Sequence, residues 1–280
     1  MYRYFCAILL SACLFFLPCC SGKKANNLQF NVYMPPSFDD FFEEIIPLEG
    51  TPNSQNPIWD VSDIDISYIQ QNRKLIAFTF DDSPAKTLEN IFAVFAEYNE
   101  NNPDCKATAT LFVNGGLVTE DSIQTLHAAN ALGFELGNHT QSHLDLTTLP
   151  NEELHAEIDT TDAILSKIDG KKQHLLRPPF GFINDAVKAQ TSAPIINWNV
   201  DTMDWSKVSA EEIYHSVYDR VSSGAIVLMH DGYPNTVEAL KRLLPDLKNA
   251  GYQIVSVSAL AKAHGCTLKN GGEYVRLRKR

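Results

Sequence analysis

Two adjacent aspartates, Asp81 and Asp82, follow a short apolar run at 75–80 that predicts a buried strand. Carboxylates at the end of such a strand are costly unless a cation or a hydrogen-bond donor meets them. Two histidines, His139 and His143, come later in the chain and are four residues apart. These residue types indicate a divalent metal that takes one carboxylate and both imidazoles, which leaves the other carboxylate free as a base.

The predicted metal ligands are Asp82, His139 and His143. The two histidines can point the same way if the loop that carries them opens into a helical turn. Two imidazoles and one carboxylate leave positions open for water and substrate, as in a catalytic zinc site. The same ligands also suit iron in oxygen chemistry, so the ligand types alone leave both metals open. The histidine spacing by itself is a weak signal, because it often arises by chance on surface helices.

Strand-like and helix-like segments alternate from Lys74 onward, and these elements must position the polar residues. Apolar residues recur at helical spacing in 88–95, 154–165 and 237–247. The strand-like runs are 75–80, 107–113, 134–138, 174–177, 195–200, 225–229 and 252–257. Such alternation predicts an α/β fold with a parallel sheet. About seven β/α units favour a closed or nearly closed barrel, with an open doubly wound sheet as the alternative.

Polar clusters occur where five of these strands are expected to end. Each has a simple explanation on its own, such as a turn, a helix cap or a rigid proline loop. The carboxyl ends of parallel strands face the active site in barrels and open sheets alike, so five clusters at such ends favour one shared site. The clusters are Asp81–Asp82, His139 with His143, 177–181, 201–205 and His230–Asp231.

The composition limits the class of protein and its partners. The chain has 280 residues with 44% hydrophobic and 20% charged content, which suits one large α/β domain or two small ones. A formal net charge of -11 argues against nucleic acid as the main partner. Basic residues cluster only at the C-terminus, where they predict a solvated tail: Arg276, Arg278, Lys279 and Arg280.

Residues 1–20 predict a targeting segment. The apolar run at 5–17 is short for a membrane span and is followed by Pro18, Cys19 and Cys20. The segment resembles a bacterial lipoprotein signal, in which the cysteine after the cleavage site is lipidated, although Pro18 departs from the usual small residues. We therefore expect an exported lipoprotein at the cell envelope, which meets the membrane only through that anchor. Simple secretion, to the periplasm or beyond, and an uncleaved anchor are the alternatives.

The domain organisation follows from these signals. The predicted segments are a signal peptide at 1–20, a linker and arm at 21–73, the main domain at 74–264 and a tail at 265–280. Cys105 and Cys266 are the cysteines of the main body. An exported protein can oxidise such a pair, so a disulfide and two separate thiols both remain open.

The ordered motifs resemble those of the polysaccharide deacetylases, which are the carbohydrate esterase family 4 or NodB-homology enzymes. The resemblance covers roughly Lys74 to Ala263, and its motifs are 79–84, 139–143, 177–181, 201–205 and 228–231. Ser83 stands where the family most often has glycine. The resemblance implies a distorted (β/α) barrel of the NodB-homology type, in agreement with the count of about seven β/α units.

The resemblance also implies roles for individual residues. Asp82, His139 and His143 would bind the metal, with zinc expected and cobalt or another divalent ion as the alternative. Asp81 would be the general base that takes a proton from the attacking water. Arg177 would hold Asp81 in place and keep it ionised.

The remaining implied roles concern the leaving group and the substrate. His230 would be the general acid that protonates the leaving amine, and Asp204 rather than Asp201 would orient it. Three further residues would contact the substrate, the first through its backbone N–H at the oxyanion and the others as walls of the acetyl pocket: Phe180, Trp205 and Leu228.

The expected function is the metal-dependent removal of N-acetyl groups from amino-sugar polymers such as peptidoglycan or chitin-like oligosaccharides. An amide carbonyl is a poor electrophile, so the reaction needs activated water, a partner for the oxyanion and a proton for the amine. The alternatives are an O-acetyl esterase acting on xylan and a non-catalytic carbohydrate-binding protein. The sequence leaves the oligomeric state open.

Overall fold

The computed structural model of the protein describes residues 58–279. The predicted signal peptide, its cysteines and the arm residues 21–57 lie outside the described residues. Within 58–279, no helix is both long enough and apolar enough to cross a membrane.

Strands and helices alternate along the described chain, as the apolar periodicity predicts. The strands are β1 (Lys74–Ser83), β2 (Thr110–Val113), β3 (Glu135–Asn138), β4 (Ile195–Ile196), β5 (Val200–Asp201), β6 (Ile226–His230), β7 (Tyr252–Val255) and β8 (Glu273–Tyr274). The α-helices are α1 (Leu88–Asn101), α2 (Glu120–Ala131), α3 (Asn151–Asp169), α4 (Asp185–Gln190), α5 (Ala210–Tyr218), α6 (Pro234–Asn249) and α7 (Val257–His264). The strand ladders are parallel, in the order β3-β2-β1-β6-β5, with β7 paired to β1 and β4 paired to β8.

The central strand β1 decides which residues face the candidate site. Ile76, Phe78 and Phe80 lie in the apolar core that the helices cover. Because side chains alternate along a strand, Asp81 projects from the opposite face. The parallel ladder between β1 and β6 pairs Asp81 with His230. The two side chains expected to act as base and acid are therefore carried on neighbouring strands at the same level.

Helices α1, α3 and α6 contain the predicted helical segments 88–95, 154–165 and 237–247. Helix α6 shows why they form, because its apolar residues recur on one face and are buried. The start of α5 is fixed by a capping box, in which Ser209 and Glu212 bond to each other's backbone N–H groups. The predicted α/β class is confirmed.

One predicted strand is not regular. The segment 174–177 contributes only Leu176, which forms single bridges to Asn138 and Ile195. Pro178 follows shortly after, and a proline has no N–H with which to extend a ladder. These bridges still link β3 to β4, although the ladders within 58–279 do not by themselves show a closed barrel.

A second predicted strand, 195–200, is interrupted. The Asn197 N–H donates to the carbonyl of Tyr274, whereas the Asn199 N–H donates to the carbonyl of Ile226. The chain thus changes its pairing partner between these two residues. A single predicted strand therefore becomes the two short strands β4 and β5.

Both ends of the described chain pack on the sheet and its helices. The segment 265–280, predicted as a tail, packs on the rest of the domain, because Leu268 and Leu277 are buried and β8 pairs with β4. Of the basic residues that were predicted to be solvated, Arg278 and Lys279 are exposed, Arg276 is half-buried, and Arg280 lies outside the described residues. The Trp59 N–H donates to the Leu268 carbonyl at 2.9 Å, so the end of the predicted arm packs here too.

The structure contains no disulfide between Cys105 and Cys266. The Cys105 thiol is buried just before β2, and the Cys266 thiol donates to the Arg278 carbonyl at 3.2 Å. Of the two alternatives that the sequence left open, the structure has the separate thiols.

A buried charged cluster ties α3 to the segment that precedes Arg177. His174 Nδ1 donates to Asp162 Oδ1 at 2.9 Å, and His174 Nε2 donates to Asp169 Oδ1 at 3.1 Å. Burial of the ring lowers the pKa of His174, but the two hydrogen-bonded carboxylates outweigh it and raise that pKa to about 9. The ring is therefore charged at neutral pH, between two carboxylates.

We predict that the stability of the protein falls as the pH rises through about 9. The folded pKa of His174 is about 9 and the model-peptide value is 6.5, so the folded protein holds the proton more tightly. The stabilisation is complete below about pH 6.5 and is lost as the pH rises through about 9, by up to about 3 kcal/mol. Urea unfolding across this range measures the effect.

The variant His174→Gln is expected to be less stable at pH 6 and to lose little further stability up to pH 9. His215→Gln is the control, because His215 is an exposed histidine that also lies between two carboxylates. That variant should keep the wild-type profile. A His174→Gln profile parallel to the wild type would contradict the assignment of charge to His174.

Candidate active site

The three predicted metal ligands lie close enough to share one ion. Asp82 Oδ1 is 3.4 Å from His143 Nε2 and 3.6 Å from His139 Nε2. One ligand atom from each residue lies within 4.8 Å of the others. Donors at about 2.0–2.2 Å from a tetrahedral ion stand about 3.4 Å apart, so the spacing fits a zinc-sized ion.

The hydrogen bonding of His139 leaves one nitrogen available as a ligand. Its Nδ1 lies 2.7 Å from the backbone carbonyl of Arg177. A carbonyl only accepts, so Nδ1 carries the hydrogen and Nε2 presents its lone pair towards Asp82. Burial lowers the pKa of His139, and this effect outweighs the negative charges of Asp81 and Asp82, which raise it. The neutral ring that a metal requires is thus the favoured form.

The loops that carry the ligands have unusual backbone conformations. Seven non-glycine residues of the described chain have positive φ, and five of them lie in the predicted motifs. Such conformations are costly and tend to cluster at functional sites. In the loop that carries the two histidines, local hydrogen bonds hold this backbone, since the Thr140 N–H donates to Asn138 Oδ1 and the His143 N–H donates to Thr140 Oγ1. The five are Asp82, Thr140, His143, Phe180 and Met203.

Asp81 is held by an entirely buried arginine. Arg177 Nη1 donates to Asp81 Oδ1 at 2.6 Å and to Thr79 Oγ1 at 2.7 Å, and its Nε donates to the Ile196 carbonyl at 2.8 Å. Burial lowers the pKa of Arg177, and the charge of Asp81 opposes this shift. Asp81 Oδ2 makes no bond to the guanidinium and lies 3.7 Å from His139 Nε2. This oxygen therefore faces the candidate metal site.

His230 is oriented by Asp204, the partner that the resemblance favours over Asp201. His230 Nδ1 donates to Asp204 Oδ1 at 2.7 Å, while Asp204 Oδ2 accepts from the His230 N–H and from the Thr236 hydroxyl. Asp201 instead accepts from the Met203 N–H. Burial lowers the pKa of His230, but Asp204 and Asp81 raise it, and the net shift is upward.

Of the predicted substrate-binding residues, one contacts a candidate ligand and the other two are close in sequence to Asp204 and His230. The ring of Phe180 meets the ring of His143 edge-on at 4.8 Å between centroids. Trp205 follows Asp204 in a short 3₁₀ turn and is half exposed. Leu228 is buried on β6, two residues before His230 and on the same face of the strand.

The structure adds residues that the sequence did not assign to the site. Ser83, which replaces the usual glycine, donates through its hydroxyl to Asp231 Oδ2 at 2.9 Å, and the Ala85 N–H donates to the same oxygen. Burial raises the pKa of Asp231 to about 6, although these hydrogen bonds oppose the shift. The backbone of Ser83 is not left-handed, so what distinguishes serine from the usual glycine here is its hydroxyl group rather than its backbone conformation.

Phe182, an exposed aromatic residue beside Phe180, also had no signal in the sequence beyond its proximity to a motif.

Comparisons with known proteins agree with this geometry. The family model for polysaccharide deacetylase matches residues 69–195. A peptidoglycan-N-acetylglucosamine deacetylase of Bacillus cereus is 35% identical over 211 residues, which cover 69% of this chain and 91% of that protein. The peptidoglycan-N-acetylmuramic acid deacetylase PdaC of Bacillus subtilis is 35% identical over 193 residues, which cover 69% of this chain and 40% of that longer protein.

A solved structure shows the same similarity at lower identity. The family 4 acetyl xylan esterase from Clostridium thermocellum, in complex with a cobalt ion, has a TM-score of 0.67 at 26% identity, covering 73% of this chain and 99% of that chain. Together with a relative matched over 91% of its own length, these findings confirm the resemblance seen in the motifs. The chain belongs to the polysaccharide deacetylase family, the hydrolases of carbohydrate esterase family 4.

Proposed function

We propose that the protein is a metal-dependent hydrolase that removes acetyl groups from N-acetylated amino-sugar polymers. The main observation in support is that the Asp82–His139–His143 cluster lies beside the buried Asp81, which is paired with Arg177. The deacetylase relatives from two Bacillus species support the substrate class. Peptidoglycan is the proposed polymer, because both relatives are named for it and the first twenty residues resemble an export signal.

Zinc is the proposed ion, with cobalt second. Asp82, His139 and His143 would hold it through one carboxylate oxygen and two Nε2 atoms. When bound, such an ion supplies a Lewis acid that polarises the acetyl carbonyl and lowers the pKa of water.

Asp81 is proposed to act as the general base. Its Oδ1 is engaged by Arg177, so Oδ2 is the oxygen that remains to accept a proton from the attacking water. The paired guanidinium keeps the carboxylate charged in a buried place where an isolated charge would be costly. The arginine thus positions the base without touching the substrate.

His230 is proposed to act as the general acid. Its Nδ1 hydrogen is committed to Asp204, which leaves Nε2 on the far side of the ring to protonate the leaving nitrogen. An amine leaves readily only after it is protonated. Burial lowers the pKa of His230, but the hydrogen bond to Asp204 and the nearby carboxylates raise it more, and this net upward shift favours the protonated ring.

The second candidate function is O-acetyl esterase activity, which the acetyl xylan esterase neighbour favours. The test is acetate release from peptidoglycan, an N-acetylglucosamine oligomer and acetylated xylan, each with added zinc or with a chelator. Zinc-dependent release from an N-acetylated substrate is the expected result. Release from xylan alone would assign the esterase activity, and a zinc-loaded protein with no release from any substrate would favour a carbohydrate-binding protein.

We predict that one variant loses the metal, whereas a second keeps the metal and loses only catalytic activity. His143→Ala should lose most of its zinc, because it removes one of three ligands from a half-exposed position that tolerates truncation. Asp81→Asn should keep about one zinc per chain yet release acetate about 100-fold to 10,000-fold more slowly, because it removes the base. Elemental analysis after dialysis and an acetate assay measure the two effects.

His155→Ala is the control, because His155 is half-buried on α3 and pairs with Gln190 rather than with the cluster. It should keep both zinc and activity. Undiminished zinc in His143→Ala would remove that residue from the ligands. Zinc lost in parallel with activity in Asp81→Asn would refute its assignment as a base alone.

We predict that Asp204→Asn and Asp201→Asn differ sharply although the two residues share one motif. Asp204→Asn should slow acetate release from an N-acetylated oligomer by about 100-fold, because His230 loses its partner and its proton. The alkaline limb of its pH–rate profile should move to lower pH, since Asp204 raises the His230 pKa. Asp201→Asn should behave like the wild type.

An aryl acetate completes this experiment, because its phenolate leaves without a proton from the enzyme. Its hydrolysis should be nearly unchanged in Asp204→Asn. Equal losses on the aryl acetate and on the N-acetylated oligomer would contradict a role for Asp204 in leaving-group protonation. Thermal unfolding of each variant checks that the buried site remains folded.

A further inference from the structure

Two aromatic side chains stand exposed beside the candidate metal site. Phe180 and Phe182 are 57% and 53% exposed. Their ring centroids are 5.5 Å apart, with 44° between the planes. Phe180 in turn meets His143 at 4.8 Å. The two phenylalanines, here called the aromatic platform, thus extend outward from a candidate metal ligand.

The turn between the two rings is held firmly. Gly181 has a φ of +70°, and a Cβ at this position would lie 2.8 Å from the Trp198 ring. The Gly181 carbonyl accepts from Asn197 Nδ2 at 3.3 Å, and the same amide donates to Glu273 Oε1 at 3.2 Å. The backbone between the two rings is therefore held by contacts that reach to β8, and the rings themselves are exposed to solvent.

Exposed rings of this kind indicate a surface that a ligand covers. Large apolar side chains next to each other on a surface are costly in water and commonly mark binding sites. A phenylalanine offers a flat apolar face and no hydrogen-bonding group, so it suits the C–H face of a pyranose ring rather than its hydroxyl groups. Because Phe182 packs against Phe180, which itself contacts His143, it suits a sugar unit next to the one that reacts.

We propose that Phe182, together with Phe180, binds a sugar ring of the polymer next to the unit that loses its acetyl group. Phe182 is then a residue that selects oligomers over single sugars. The inference rests on the proposed deacetylase function for the identity of the polymer. The proposal requires only that an N-acetylated oligosaccharide binds beside the candidate metal site, and this binding can be measured separately from turnover.

The first test is calorimetric binding of a β-1,4-linked N-acetylglucosamine tetramer and of the free monosaccharide to the zinc-loaded protein. Phe182→Ala and Phe182→Leu are expected to bind the tetramer about tenfold more weakly than the wild type, equivalent to about 1.4 kcal/mol. Phe182→Tyr keeps the ring and should bind normally. Binding of the monosaccharide should be the same in all four proteins. Tyr218→Ala, at an exposed aromatic residue of α5, is the control and should match the wild type.

The second test is kinetic. Phe182→Ala should raise KM for the tetramer about tenfold, with kcat, zinc content and aryl acetate hydrolysis unchanged. Wild-type affinity for the tetramer in Phe182→Ala or in Phe182→Leu would overturn the proposal, as would a wild-type protein that does not bind the tetramer. If the wild type binds the tetramer through Phe182 but releases no acetate, the platform is supported and the proposed deacetylase function fails.

Discussion

The candidate site depends on one buried ion pair, that of Arg177 with Asp81. A guanidinium removed from water must have its charge and its N–H groups satisfied, and here a carboxylate, a hydroxyl and two backbone carbonyls do so. The centroid of the Phe112 ring lies 4.0 Å from the guanidinium carbon, in a cation–π contact. The carbonyl of the same arginine fixes His139. One residue thus sets the position of a candidate base and of a candidate ligand.

The backbone at Asp82 explains how two consecutive carboxylates serve one centre. In a regular strand, neighbouring side chains point to opposite faces. The φ of 59° at Asp82 breaks that alternation. Asp81 Oδ2 and Asp82 Oδ1 consequently both approach His139 Nε2, at 3.7 Å and 3.6 Å. A left-handed aspartate is less costly than most residues would be, because its short polar side chain tolerates this region.

The sequence predicted the features that depend on local pattern. Apolar periodicity indicated the α/β class, and the positions of polar residues at strand ends indicated which ones meet. Prediction from the sequence failed where hydrogen bonds between distant parts of the chain decide the local structure. The strand predicted at 195–200 divides because Asn197 pairs with the C-terminal strand and Asn199 pairs with β6. The tail appeared solvated because its charges are visible in the sequence, whereas the burial of Leu277 is not. The bond between Ser83 and Asp231 joins motifs far apart in the chain, so no local pattern predicts it.

The division between buried charges and exposed rings has a consequence for specificity. Asp81, Arg177 and Asp204 are all buried, where electrostatic interactions are strong and geometry is fixed. These groups suit either an N-acetyl or an O-acetyl substrate, since water activation is common to both reactions. Under the proposed function, the exposed rings and loops would contact the rest of the substrate, and loops differ most readily between relatives. Discrimination between polymers is therefore expected to reside in residues such as Phe182, outside the five motifs, while the motifs set the chemistry.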